Sequence, residues 1–146
     1  LEANLYDRIR SDPESTFKRG ATSQQIASVE KQLGVTLPHS YRTFLLHFDG
    51  GEFRFGRMYR ISSNGAGDFE LREEIERASD FFAPFKDRTL LPFGDDYSGN
   101  YHCLDIVDQP DEPSVVLVGR LLQEDRSPEK LAKSLNEFIE RSLEDA

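Results

Sequence analysis

The sequence predicts a single α+β domain: a mostly antiparallel central sheet of about four to six strands, N-terminal helices, one inserted helix and a C-terminal helix packed on it. Three observations carry this. Residues 1–51 place their apolar side chains at helical spacing. Residues 52–62 and 89–119 alternate or run apolar in short segments separated by Gly, Asn and Pro. The last section returns to helical spacing, and no repeat, low-complexity tract or linker divides the 146 residues, a length suited to one core.

Leu5 and Ile9, four apart, allow a short helix before Pro13. In ATSQQIASVEKQLG, Thr22 caps a helix and Gln25 completes a capping box. Ile26, Val29 and Leu33 follow one face, and Gly34 is placed as the C-terminal cap. Pro38 suits the first turn of a second helix, striped by Tyr41, Phe44, Leu45 and Phe48 and stopped by Gly50-Gly51. EFRFGRMYRIS reads as two strands around Gly56 or one bent strand, with Phe53, Phe55, Tyr59 and Ile61 inward and Arg54, Arg57 and Arg60 outward. SSNGAGD is a turn or loop. From Asp68 a helix follows with Leu71, Ile75, Ala78 and Phe82 on one face, ended by Pro84. TLLPFGDD, NYHCLDIV and SVVLVG are strands, with QPDEP a tight turn. Ser127-Pro128 starts a closing helix with Leu131, Leu135, Phe138, Ile139 and Leu143 buried.

The net charge is −9, which argues against direct nucleic-acid binding. Its distribution is uneven: residues 89–119 carry six acids and no Lys or Arg, whereas the rest of the chain mixes both signs. Such a section suits a basic protein partner, whose approach it would accelerate. No apolar run approaches the roughly 20 residues of a membrane span, and no signal-peptide pattern is present. A single cysteine forms no internal disulfide, which points to a reducing, cytoplasmic setting.

PFGDDYSGNYHCLD, residues 92–105, gathers three aspartates, a histidine and the only cysteine, the materials of metal and nucleophilic sites. Spacing argues against both. On a strand, adjacent His102 and Cys103 point to opposite faces and cannot act on one atom. A calcium loop needs alternating acids and a glutamate at position twelve, but here Asp95 and Asp96 are adjacent and position twelve is Ile106. His39 and His47 are eight apart on one helix, about 12 Å, too far to share a metal. No GxSxG, P-loop or GxGxxG supports an enzyme, and no cofactor is expected.

The order of motifs resembles the SUKH superfamily of fungal cell-wall-assembly regulators and bacterial immunity proteins. Leu33-Gly34, Leu37-Pro38, Tyr41, Phe44-Leu45 and Asp49-Gly50-Gly51 match its first block, with Asp49 where the family has Asn. Pro92-Phe93-Gly94-Asp95-Asp96, Gly99-Asn100-Tyr101 and Leu104-Asp105 match its second, and the resemblance runs over residues 20–143. It implies, by association with a fold, a non-enzymatic protein that binds and neutralises a toxin domain, commonly a nuclease. The alternative it implies is a regulatory scaffold or interaction module. For a binder of a basic toxin, the expected contacts are Asp95, Asp96, Tyr97 and Tyr101, then Glu52, Asp68 and Asp49, since aromatics give anchor area and acids give complementarity. As turn residues, Asp95 and Asp96 are expected to tolerate lysine with little change in thermal stability.

Overall fold

The computed structural model describes residues 2–62, 70–80, 82–107, 111–119 and 128–144. In chain order the elements are α1 (Glu2–Ser11), β1 (Thr16–Arg19), α2 (Ser23–Leu33), α3 (His39–His47), β2 (Phe48–Phe53), β3 (Gly56–Met58), α4 (Leu71–Ser79), α5 (Ala83–Lys86), β4 (Leu90–Asp95), β5 (Asn100–Asp105), β6 (Val115–Gly119), β7 (Glu129–Ala132) and α6 (Leu135–Glu144). The seven described strands form one sheet in sequence order, each antiparallel to the next. The architecture is the expected α+β domain, with a longer sheet than expected.

Both faces of the sheet are covered. Consecutive strand residues point to opposite sides. Tyr101 meets Phe85 of α5 edge-on at 5.3 Å, while its neighbour His102 meets Phe138 of α6 at 5.0 Å. Helices α1, α3 and α6 pack on one another, and Tyr41 of α3 reaches Phe93 from the α6 side. Helices α4 and α5 pack against β4. Two covered faces explain why all six residues of β4 are buried. They also explain why His102 and Cys103 are both interior despite pointing apart.

Local signals fix α2 as expected. The Thr22 hydroxyl accepts from the Gln25 amide and the Gln25 side chain accepts from the Thr22 amide, at 3.1 and 2.9 Å. Gly34 ends the helix in the left-handed region, and Ile26, Val29 and Leu33 are buried. Pro38 precedes the first turn of α3.

Four expectations are corrected. Gly50-Gly51 do not stop α3, which ends at His47 and passes directly into β2. At Gly51, φ is 150° and a Cβ would lie 2.4 Å from the Thr16 carbonyl oxygen, so the glycine admits the neighbouring strand β1. The inserted helix ends at Ser79 rather than running to Pro84, which lies in the first turn of α5. Leu131 belongs to β7, and the closing helix starts at Leu135, where the Ser134 hydroxyl accepts from the Glu137 amide at 3.1 Å. Arg60 does not point out to solvent: it is buried beyond the end of β3, bridged to Glu70.

Candidate partner-binding site

Strand register sets the geometry. Glu52 on β2 stands opposite Arg57 on β3, Arg57 opposite Asp95 on β4, and Asp95 opposite Tyr101 on β5. Opposite residues of an antiparallel pair share a face, so four of these side chains form a row across the sheet. The row ends at the β4–β5 turn, residues 96–99.

Asp95 is the hub of this row and is only 5% exposed. Its carboxylate accepts from Arg57 Nε at 3.2 Å, from the Tyr59 hydroxyl at 3.0 Å and from the Tyr97 amide at 3.1 Å. Burial, then the Asp95 charge, pushes the Tyr59 hydroxyl far above its ordinary range, so it remains a donor. A buried carboxylate is tolerable only with such partners.

Asp96 holds the turn itself. It accepts from the Ser98 amide at 2.9 Å, the Asn100 amide at 3.2 Å and Asn100 Nδ2 at 2.8 Å. Burial works against its ionised form, but these donors outweigh it and hold Asp96 below the usual carboxylate range.

Tyr97 is the prominent surface residue of the stretch, 52% exposed. Its φ of 66° lies in the left-handed region, unusual for a large side chain. The Arg57 guanidinium lies 5.0 Å from its ring centroid. Burial first, then the Glu52 carboxylate facing it, raises the Tyr97 hydroxyl above its ordinary value. Glu52 is itself exposed.

The expected contact residues therefore divide. Tyr97, Glu52 and, partly, Asp96 reach the surface. Asp95, Tyr101 and Asp49 are interior, at 5%, 2% and 4% exposure. Tyr101 is core, and the Asp49 carboxylate accepts from the Ile61 and Ser62 amides at 2.7 and 3.3 Å, fixing the chain after β3. Asp68 lies outside the described residues. The undiluted acidity of 89–119 does not survive folding, because β3 sets Arg57 against Asp95. Arg57, read from the sequence only as an outward-facing strand residue, is the residue that joins Asp95 to Tyr97.

The chemistry-bearing residues stay apart. Cys103 is fully buried, and burial pushes its thiol well above its ordinary pKa, so it remains protonated and inert. His102 lies among Phe55, Phe93 and Phe138, and burial lowers its pKa against the pull of Asp96 and Asp95. His47 stacks on Tyr6 at 3.9 Å and its Nδ1 accepts from Arg10 at 2.6 Å. Among the described residues no three His, Cys, Asp or Glu side chains are grouped to hold a metal ion, and no helix is long and apolar enough to cross a membrane.

Comparison with known proteins bears on the whole of this fold. A family model described as SMI1 / KNR4 family (SUKH-1) matches residues 20–141. A crystal structure of a protein from Pseudomonas syringae pv. tomato is similar with a TM-score of 0.63 and 22% sequence identity, over 86% of this chain and 88% of that one. At that identity the likeness is one of fold. No curated protein matches the chain.

Proposed function

From the premise that the chain belongs to the SMI1 / KNR4 family (SUKH-1), a family that includes immunity proteins and regulators, we propose that it is a non-enzymatic immunity protein that binds and neutralises a toxin domain. The toxin is a basic domain of the nuclease kind, met on the face around the β4–β5 turn. The observation that carries this reading is Tyr97: a half-exposed aromatic whose amide is held by Asp95, whose ring lies against the Arg57 guanidinium and whose hydroxyl faces the Glu52 carboxylate. Interfaces concentrate their energy in such aromatic anchors, and flanking acids steer a basic partner and set its register.

The experiment is co-expression. Where a large protein is encoded beside this chain, its C-terminal domain is expressed in a host with and without the chain, and survivors are counted. A domain that kills alone and spares cells carrying this chain supports the reading. A domain that kills regardless rejects it and favours a regulatory interaction module.

A further inference from the structure

Tyr97 poses a physical question that the fold alone does not answer. Its position has φ of 66°, where glycine, asparagine or aspartate would sit with less strain. The chain places a tyrosine there and leaves about half of it in water. The ring contributes no core packing that would offset the strain. Its one described stacking partner is the Arg57 guanidinium, whose charge is already matched by Asp95. Glu52 accepts from the Tyr97 hydroxyl, and among the described residues no ion pair includes it.

We propose that Tyr97 and Glu52 form a receptor for one arginine side chain of a partner protein, the guanidinium stacking on the open side of the Tyr97 ring and forking onto the Glu52 carboxylate. This rests on the immunity reading for the partner's identity, but not for its chemistry. An aromatic face and an adjacent carboxylate are the two groups a guanidinium satisfies together: it stacks flat on rings and matches a carboxylate with paired donors. A lysine, a point charge, uses only part of this arrangement. Asp96 adds negative potential beside the ring without competing for the ligand, because its oxygens are held by the turn. A phosphate would meet Glu52 and Asp96 with like charge, so the site selects against nucleic acid.

Two variants separate the ring from the fold. Tyr97→Gly removes the ring and relieves the backbone, so the thermal midpoint is expected to hold or rise. Glu52→Gln keeps shape and removes charge at an exposed position. Isotope-labelled protein is titrated with a tri-arginine peptide, and with tri-glutamate as the opposite-charge control, while amide shifts are followed by NMR. The expected result is tri-arginine shifts concentrated at Glu52, Tyr97, Ser98 and Asn100, with each variant weakening binding at least about tenfold. Shifts centred on other acids, such as Glu73 and Glu76 of α4, or variants that bind like the parent, overturn the proposal. The toxin assay adds a second arm. If the parent chain rescues and Tyr97→Gly rescues equally well, the receptor is overturned while the immunity reading stands. If the parent chain fails to rescue, the immunity reading falls, and the peptide titration still decides the receptor.

Discussion

Asp95 is worth more to the fold than to any partner. Four groups depend on its position: the Arg57 guanidinium, the Tyr59 hydroxyl, the Tyr97 amide and, through Arg57, the Tyr97 ring. Asp95→Lys would set a second cation beside Arg57 in the interior and leave the Tyr59 hydroxyl without its acceptor. The expected loss of stability is about 3–5 kcal/mol, read by urea unfolding. That reverses the expectation from sequence that lysine here would be tolerated; near-parent stability would restore it. Tyr59→Phe removes one donor from a carboxylate that keeps the others, and is expected to cost about 1–3 kcal/mol. The sequence placed Asp95 beside Asp96 in an apparently uniform acidic turn. What separates them is a partner 38 positions earlier on another strand, and no local pattern reports such a pairing.

At the scale of elements, legibility followed the locality of the cause. The capping box of α2 lies within four residues and was readable as written. Strands β1, TFKR, and β7, EKLA, were not. Both are edges of the sheet; β1 is exposed along its length and β7 along half of it, so neither has the apolar alternation that marks a half-buried strand. The closing helix was set too early because Leu131 and Leu135 stand four apart, as helix neighbours do, although a strand ends and a helix begins between them. Two substitutions test these assignments. Ser134→Ala removes the side-chain acceptor from the Glu137 amide and is expected to lower stability by about 1 kcal/mol. Gly51→Ala, which drives a methyl group against the Thr16 carbonyl, is expected to cost about 1–3 kcal/mol and to loosen β1, seen as faster amide exchange of Phe17 and Lys18.

For the whole molecule, charge and acid response were legible only as a sum. The net −9 was plain, but which groups set the response to acid depends on burial. His102 is held neutral, with its folded-state pKa below its ordinary 6.5. As pH falls below about 6.5 the unfolded chain takes up this proton first, so stability that is whole above that value declines down to the folded-state pKa. Asp12, lowered chiefly by its bonds from Arg54, and Asp96 add a second loss as pH falls below 3.8. Thermal midpoints followed from pH 8 to 3 are expected to show both declines, and His102→Leu to flatten the first; an unchanged first decline would place its origin elsewhere. The strict sequence order of the sheet has a further consequence, in time. As the chain leaves the ribosome, each described strand after β1 finds its sheet neighbour already made: β2–β3 and β4–β5 close as hairpins, whereas β2 reaches β1 only after α2 and α3, and β4 reaches β3 only after α4 and α5. Phe55, Phe93 and His102 are the exception. Their cover is Phe138 of α6, synthesised after all seven described strands, so the nascent sheet carries an open aromatic face until that helix arrives to close it.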